Sequence, residues 1–252
     1  MSRQIAIIIG ATSGIGRALA VSLARDGWKV GVAGRRAERL AELAAEFPEG
    51  GIVTEVMDVM AASAVQALDR LLARTGAPDL FLHVAGVGFQ NPSIDEAIEL
   101  QVIETNCTGM VRIVSHFLNY VKASGAYSVG RKALVGVVTS VAGTAGLGIS
   151  AAYSASKKMQ MTYLSALSQL ARMEQIPVRF SDIRPGFVDT DILDPGRKYP
   201  VLIPVEKAAG YIRKGLDRKR RIIIFDWRFR AITLLWRLIP RPLWERLTFI
   251  KN

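Results

Sequence analysis

Short apolar segments rich in Val and Ile alternate with longer amphipathic segments along almost the whole chain. Seven of the short segments are predicted to be strands, at residues 4–9, 29–33, 51–57, 80–84, 132–139, 177–183 and 221–225. Several are apolar at nearly every position, which is typical of strands buried on both faces. Strands that alternate with helices in this way build a parallel sheet. The sequence therefore predicts one doubly wound α/β domain with a seven-stranded parallel sheet.

The segments between the predicted strands carry apolar residues at helical spacing. Helices are predicted at residues 16–26, 36–47, 61–74, 95–122 and 153–175. Apolar positions recur there every three or four residues, and few helix breakers interrupt them. Residues 186–204 are rich in Pro, Gly and Asp and show no periodicity, so a loop is expected there.

Cysteine usage and hydropathy restrict where the protein works. Cys107 is the only cysteine, so an internal disulfide bond is excluded and a reducing, cytoplasmic location is expected. The first apolar run ends at a glycine loop and is too short for a signal peptide. No run approaches the roughly 20 apolar residues that cross a bilayer. The chain is therefore not expected to span a membrane.

A glycine-rich loop, Gly10-Ala11-Thr12-Ser13-Gly14-Ile15-Gly16, joins the first predicted strand to the first predicted helix. Glycines permit a tight turn and close approach of the backbone, and the helix N-terminus offers free N–H groups to a pyrophosphate. The loop residues expected to bind a dinucleotide are Gly10, Thr12, Ser13, Gly14, Ile15 and Gly16. An ordinary strand-to-helix turn is the alternative, because this glycine spacing alone is weak evidence.

The choice between NAD and NADP depends on the residues after the second predicted strand, which ends in Gly34-Arg35-Arg36. Where NAD is preferred, an acidic residue there accepts from the ribose 2′-hydroxyl, and this chain has none. A guanidinium can instead bind a 2′-phosphate through two hydrogen bonds. Arg35, supported by Arg17 and Arg36, therefore predicts NADP(H). The alternative is that Arg35 and Arg36 merely begin a surface helix, where cations oppose the helix dipole.

Tyr153 and Lys157 stand four residues apart near the start of a predicted helix, which places the phenol and the ammonium on one face. A nearby cation lowers the pKa of a phenol, whose ordinary value of about 10 makes it a slow acid at neutral pH. Ser140 ends the fifth predicted strand, at the sheet edge where ligands bind, and can hydrogen-bond a substrate oxygen. The three residues predict proton transfer to a carbonyl oxygen. The alternatives are an exposed helical pair and a turn serine.

In chain order, the GxxxGxG loop, Ser140 and the Tyr153/Lys157 pair resemble the short-chain dehydrogenase/reductase family, which has a Rossmann fold. The resemblance runs to residue 190 and implies a reversible NADP(H)-dependent oxidoreductase acting on CH–OH and C=O groups. It implies that Lys157 also holds the nicotinamide ribose and that Asn106 supports a water-mediated proton relay to Lys157. Asp58 matches the position that touches the adenine amino group, or it caps the helix predicted at residues 61–74.

Two further segments carry this resemblance. Ala85-Gly86 lets the backbone approach the cofactor, and the segment 185–190 matches the stretch that lines the nicotinamide. The residues implied there are Pro185, Gly186, Val188 and Thr190. Ile9 stands where the family has Thr, and His83-Val84 stands where it has two Asn residues. His83 is expected to be structural and to replace one of the lost Asn hydrogen bonds, and no metal site is expected around it.

Most of the excess positive charge lies near the C-terminus. Residues 213–252 hold twelve Lys and Arg against three acidic residues, in a chain of net charge +11. In residues 226–252 arginines alternate with Trp, Phe, Leu and Ile, which is typical of a helix lying in a membrane interface. The alternative is a helix packed over the substrate cleft or on another subunit. Residues 1–225 are expected to form the dinucleotide-binding and catalytic domain, and residues 226–252 its basic amphipathic extension.

Together these features predict an NADPH-dependent reductase, or reversible alcohol dehydrogenase, of a hydrophobic ketone, aldehyde or 3-oxo lipid. The alternatives are a 3-oxoacyl-thioester reductase and a non-catalytic NADP-binding regulatory or scaffold protein, which retention of Tyr153 and Lys157 disfavours. A small lipophilic substrate and a homodimer or homotetramer are expected. Contact of residues 226–252 with the inner face of a membrane stays open. No nucleic-acid partner is expected, because no nucleic-acid motif is found.

Overall fold

A computed structural model describes residues 3–193, 196, 199 and 201–248. The strands within these residues are β1 (Ile5–Ile9), β2 (Lys29–Gly34), β3 (Ile52–Val56), β4 (Leu80–His83), β5 (Ala133–Val138), β6 (Val178–Ile183) and β7 (Ile222–Ile223). They form one seven-stranded sheet in the order β3-β2-β1-β4-β5-β6-β7, and every neighbouring pair is parallel. The predicted sheet is confirmed. Strand order reverses between β1 and β4, the point at which ligands bind in this architecture.

The helices within the described residues are α1 (Gly14–Arg25), α2 (Ala37–Ala45), α3 (Ala64–Thr75), α4 (Glu96–Ile103), α5 (Met110–Ala123), α6 (Ala151–Met173), α7 (Val205–Asp217), α8 (Trp227–Leu238) and α9 (Arg241–Trp244). A π-helical turn, Glu104–Gly109, joins α4 to α5, so the single helix predicted at residues 95–122 has an irregular centre. Two 3₁₀ turns, Val141–Thr144 and Gly148–Ser150, follow β5.

The sheet is buried on both faces. Ile7 and Ile9 of β1 point into a core that includes buried side chains of α3, α5 and α6, whereas Ala6 and Ile8 point into a second core with α1, α2 and α7. Successive side chains of a strand point to opposite faces, so a strand between two cores is apolar at every position. This packing explains the continuous apolar runs in the sequence.

Two elements near the C-terminus differ from the sequence prediction. Helix α7 had no predicted bounds, although buried residues such as Ala208, Ile212 and Leu216 recur at helical spacing. Strand β7 has two residues where five were predicted. It pairs only with β6 at the edge of the sheet, and edge strands are often short. Among the described residues, no helix is long and apolar enough to cross a bilayer.

Candidate active site

The glycine loop lies between β1 and α1, at the carboxyl edge of the sheet. Gly10 has a φ of +93°, and a Cβ there would collide with the backbone of Ala85. A Cβ on Gly16 would collide with the carbonyl oxygen of Gly10. Only glycine fits these two positions. Because the first turn of α1 also has no acidic residue, the loop and the helix can present backbone N–H groups to an anion.

A cleft of about 370 Å³ opens above this loop, and we call it the cofactor cleft. The predicted binding residues that line it are Gly10, Thr12, Ser13, Gly14, Ile15, Gly16, Arg35, Arg36, Asp58, Ala85, Gly86 and Thr190. Arg17 is not among the lining residues, because its guanidinium pairs with Glu46. Asp58 accepts a hydrogen bond from the Met60 N–H at 3.0 Å. Since α3 begins only at Ala64, Asp58 shapes the turn after β3 and does not cap that helix.

The two arginines at the end of β2 have different contacts. Arg36 donates to Thr12 Oγ1 at 2.8 Å and to Ser13 Oγ at 2.7 Å, and Asp191 lies 3.7 Å from its guanidinium. Arg35 is exposed and lines the cleft, and it has no side-chain hydrogen bond or ion pair within the described residues. Arg36 is therefore tied to the glycine loop, whereas the Arg35 guanidinium is available to a ligand.

Ser140, Tyr153 and Lys157 meet beyond the carboxyl end of β5. Tyr153 and Lys157 lie on α6, with Lys157 Nζ 5.6 Å from the centre of the Tyr153 ring. Ser140 precedes the first 3₁₀ turn after β5, where its Oγ accepts from the Ala142 N–H at 3.1 Å, and its side chain lies beside the Tyr153 phenol. Ser140 and Lys157 are buried, and Tyr153 is partly buried. The structure thus brings a hydroxyl, a phenol and an ammonium together.

Burial dominates the pKa values of this group. It raises the pKa of Tyr153, and the hydrogen bond with Ser140 opposes that rise. Burial also lowers the pKa of Lys157 to about 8, against the opposing effects of Cys107 and Asp182. The pKa of Tyr153 is therefore raised and not lowered as predicted, because the phenol loses water on burial and the opposing effect comes from Ser140. A raised pKa keeps the phenol protonated at neutral pH, as a proton donor requires.

Asn106 and Gln160 are the polar residues behind Lys157. Asn106 exchanges two hydrogen bonds with the backbone of Val87, donating from Nδ2 at 2.8 Å and accepting at Oδ1 at 2.9 Å. Buried Gln160 donates from Nε2 to the Asn106 carbonyl oxygen at 2.7 Å, and its Oε1 accepts from Lys157 Nζ at 3.2 Å. A side chain therefore makes the link for which the family resemblance implies a water molecule. The sequence analysis missed Gln160, although it lies three residues after Lys157 on the same face of α6.

A buried ion pair at the end of β6 was also missed. Arg184 donates to Asp182 Oδ2 at 2.6 Å, and Thr139 donates to Asp182 Oδ1 at 2.6 Å. Both charged side chains are buried. The Asp182 carboxylate raises the pKa of Lys157, so this pair contributes to the charge of the site. The signal in the sequence is an Asp and an Arg in an otherwise buried segment.

His83 is buried at the end of β4. Within the described residues, neither of its ring nitrogens has a hydrogen-bond partner. Burial, and to a lesser extent the charge of Lys157, lowers its pKa to about 3, so the ring is neutral at neutral pH. The expectation that His83 replaces an Asn hydrogen bond is therefore wrong for this structure. No group of three or more His, Cys, Asp or Glu in the described part of the chain could hold a metal ion.

A second, larger space of about 760 Å³ borders the cofactor cleft, and we call it the substrate cavity. Ser140, Tyr153 and Lys157 line it, together with Pro185, Gly186, Val188 and Thr190. Helix α8 contributes three further lining residues, Phe229, Ile232 and Trp236. The helix is therefore packed over the cleft, which was one of the alternatives predicted for the C-terminal segment.

Three contacts hold α8 and α9 in this position. The Phe229 ring packs so closely on Gly186 that a Cβ there would collide with it. Trp236 packs edge-to-face on Trp244, with ring centres 5.2 Å apart, and Trp244 donates from Nε1 to the Gly146 carbonyl at 2.7 Å. The predictions for residues 249–252 concern part of the chain outside the described residues.

Glycines keep the passage between the two spaces open. Gly86 and Gly88 line both the cofactor cleft and the substrate cavity. A Cβ on Gly86 would lie 3.0 Å from Asn106 Oδ1, and a Cβ on Gly88 would lie 2.9 Å from the Tyr153 ring. The passage, the glycine loop and Arg35 together give a continuous space whose residues suit a dinucleotide.

Comparison with known proteins agrees with this geometry. The family model of the short chain dehydrogenases matches residues 4–199. An uncharacterized oxidoreductase of Myxococcus xanthus is 32% identical, over 97% of this chain and 96% of its own. A putative ketoacyl reductase of Streptomyces coelicolor is 32% identical, over 74% of this chain and 71% of its own. The chain belongs to the short-chain dehydrogenase/reductase family.

A solved structure extends the similarity to the fold. The alcohol dehydrogenase of the archaeon Thermococcus sibiricus, complexed with 5-hydroxy-NADP, is 27% identical to this chain. The similarity has a TM-score of 0.74 and covers 89% of this chain and 96% of that one. The protein is thus an oxidoreductase, and its relatives support the reduction of carbonyl groups.

Proposed function

We propose that this protein is an NADPH-dependent reductase of a lipophilic ketone or aldehyde and that it runs in reverse as an alcohol dehydrogenase. The continuity of the two spaces carries the proposal. The cofactor cleft passes Gly86 and Gly88 and enters the substrate cavity where Tyr153 lies. A carbonyl group in the cavity can therefore approach the nicotinamide position and a proton donor at once.

Each residue of the group has a separate part in the reduction. Bound NADPH supplies the hydride that reaches the carbonyl carbon. Tyr153 donates its proton to the carbonyl oxygen, so that no free alkoxide forms in the cavity, and Ser140 hydrogen-bonds the same oxygen. The ammonium of Lys157 stabilises the phenolate that remains. A proton from solvent restores the phenol, and the net products are the alcohol and NADP⁺.

The cofactor preference rests on charge at the end of β2. Arg35 lines the cleft without a partner among the described residues, and Arg36 is held beside it by Thr12 and Ser13. No acidic residue stands at the end of β2 to accept from a ribose 2′-hydroxyl. A 2′-phosphate would pair with the free guanidinium, which favours NADPH over NADH.

The lining of the substrate cavity supports a lipophilic substrate. Its wall includes aromatic and aliphatic side chains from the segment 187–201 and from α8, among them Phe187, Tyr199 and Trp236. A volume of about 760 Å³ is large enough for a drug-sized or lipid-like molecule. A sugar or a small acid would leave this apolar wall uncovered. A hydrophobic ketone, aldehyde or 3-oxo lipid is therefore the proposed substrate class.

A carbonyl screen with the purified protein and NADPH tests the proposal. Medium-chain aldehydes, 3-keto sphingoid bases and 3-oxoacyl thioesters would be compared by the loss of NADPH absorbance. We expect turnover of the aldehydes or the keto bases. Turnover of the thioesters alone would make the protein a 3-oxoacyl-thioester reductase. Binding of NADPH without turnover of any carbonyl would favour a regulatory or scaffold role.

A further inference from the structure

Helix α8 has apolar side chains on two opposite faces. The inner face lines the substrate cavity with Phe229, Ile232 and Trp236. The outer face consists of Trp227, Ala231, Leu234 and Leu238, and we call it the outer stripe. Trp227, Leu234 and Leu238 are 76%, 62% and 72% exposed. A helix that is apolar on both faces is normally covered on both faces, and within the described residues the chain covers only the inner one.

Arginines lie along both edges of the outer stripe. With about 100° of rotation per residue, Arg228 lies on one edge, and Arg230 and Arg237 lie on the other. Arg228 pairs with Asp226 at 2.6 Å, whereas Arg230 and Arg237 have no ion pair within the described residues. Cations along the edges of an apolar stripe are typical of helices that lie among lipid headgroups, where arginines reach the phosphates.

We propose that the outer stripe docks on an anionic lipid bilayer with the axis of α8 in the plane of the membrane. The twelve residues of α8 rise by about 18 Å, which is less than the roughly 30 Å of a hydrocarbon core, so the helix lies on the bilayer. The stripe enters the boundary between headgroups and acyl chains, and the arginines pair with lipid phosphates. The proposal concerns a partner of the protein and does not depend on its reductase activity.

Charge distinguishes the bilayer from a second copy of the chain. A symmetric contact between two outer stripes would bring the same arginines together across the two-fold axis. The nearby acids cannot compensate, since Asp226 pairs with Arg228 at 2.6 Å and Glu245 pairs with Arg241 at 2.8 Å. Like charges facing each other oppose association, whereas each arginine is attracted to an anionic leaflet. The charge pattern therefore favours lipid.

Vesicle sedimentation of the full chain tests the docking. Vesicles of phosphatidylglycerol and phosphatidylcholine would be compared with phosphatidylcholine alone, at low and at high salt. We expect binding to the anionic vesicles only, weakened by salt because the arginines act through charge. The variant with Leu234→Glu and Leu238→Glu should bind at least about tenfold more weakly, because two carboxylates enter the stripe and face the anionic lipid.

A matched variant separates the stripe from charge in general. Val129→Glu with Met173→Glu adds the same two carboxylates at apolar positions outside α8 that are 82% and 71% exposed. This variant should sediment with anionic vesicles like the unaltered chain. Equal loss of binding in both variants would overturn the proposal, because net charge would then explain the effect.

Tryptophan fluorescence gives a second measurement. The emission of Trp227 should shift to shorter wavelength on anionic vesicles, and the shift should be absent in Trp227→Phe. Thermal unfolding of every variant would show that the fold is retained. The proposal is overturned if the unaltered chain does not bind anionic vesicles. It is also overturned if Leu234→Glu with Leu238→Glu converts a dimer into a monomer and leaves vesicle binding unchanged. None of these measurements involves turnover, so failure of the proposed reductase activity would be seen separately.

Discussion

The cofactor cleft and the substrate cavity are adjacent, but they differ in the kinds of residue that line them. The cleft has six glycines in its lining, and Gly10 and Gly16 are required because any Cβ there would collide with a neighbouring backbone. The cavity is lined by residues from several regions, among them the segments 84–92, 138–142 and 185–193 and helix α8, and many of them are apolar. Backbone contacts permit few residue types, whereas an apolar wall permits many. A family can therefore keep its cofactor while its members change substrate.

The largest expected effect is a loss of turnover on substitution of Tyr153, which lies where the cofactor cleft meets the substrate cavity. Tyr153→Phe removes the hydroxyl that donates the proton and keeps the ring that borders the passage. Turnover should fall by about a hundredfold to ten-thousandfold, the range for a lost general acid, with NADPH affinity nearly unchanged. Steady-state kinetics and fluorescence titration with NADPH would measure the two quantities. Tyr163→Phe, on the same helix, is the control and should retain activity. Equal activity of the two variants would remove Tyr153 from the acid role.

A charge reversal in the cofactor cleft tests whether Arg35 selects NADPH over NADH. Arg35→Asp replaces the free guanidinium with a carboxylate that repels a 2′-phosphate. NADPH affinity should fall by about tenfold or more, with a much smaller change for NADH. Arg39→Asp makes the same change on the exposed surface of α2, away from the cleft, and should leave both affinities nearly unchanged. A loss of equal size for NADPH and NADH in Arg35→Asp would contradict the phosphate assignment.

Lys157 should set the alkaline limit of the reduction. Its ammonium is fully formed below its pKa of about 8 and is lost as the pH rises through that value, so kcat/KM should fall there. Gln160→Met removes the amide oxygen that accepts from Lys157 and should move this fall to lower pH by about one unit. Gln160→Glu places a carboxylate beside the ammonium and should move the fall of kcat/KM to higher pH. Leu164→Met, one turn further along α6, is the control. If the pH of this fall is unchanged in both Gln160 variants, or moves in the same direction in both, Gln160 does not position Lys157.

The smallest effect is expected in the wall of the substrate cavity. Ile232→Ala removes apolar surface from the inner face of α8 and should raise KM for a long-chain aldehyde by about fivefold. Short aldehydes should be affected less, and kcat should change little. Leu235→Ala on the same helix, at a residue that is 60% exposed, provides the matched control. Equal KM values for Ile232→Ala and the control would place the substrate elsewhere.

The fold was largely predictable because burial on both faces makes strands such as β1 and β5 continuously apolar. Helix α7 was missed although Ala208, Ile212 and Leu216 recur at helical spacing, and it contains two poor helix formers, Gly210 and Gly215. The π-helical turn Glu104–Gly109 was missed because its six residues include no large apolar side chain, so no apolar spacing marks the change of pitch. Apolar patterns in the sequence therefore predict which segments are buried, but they do not predict a small change of helical pitch.

The residues of the candidate site also differ in whether the sequence could predict them. Glycines and the Tyr153/Lys157 pair are tied to fixed spacings by backbone geometry, so they could be read from the chain. Gln160 contacts Asn106, and Asp182, the partner of Arg184, contacts Thr139, and both contacts join residues far apart in sequence. Arg17 lies on the predicted helix but pairs with Glu46, away from the cleft. Tertiary packing decides which of several nearby polar side chains faces the site. The spacing of residues in the sequence does not give this information.

The position of α8 near the end of the chain has a consequence during synthesis on the ribosome. Domains begin to fold while later residues are still being added, and every strand of the sheet precedes α8. The residues that line the cofactor cleft are added before α8, and Phe229, which covers Gly186, is added after them. The wall that α8 gives to the substrate cavity is therefore the last part of the described site to be synthesised.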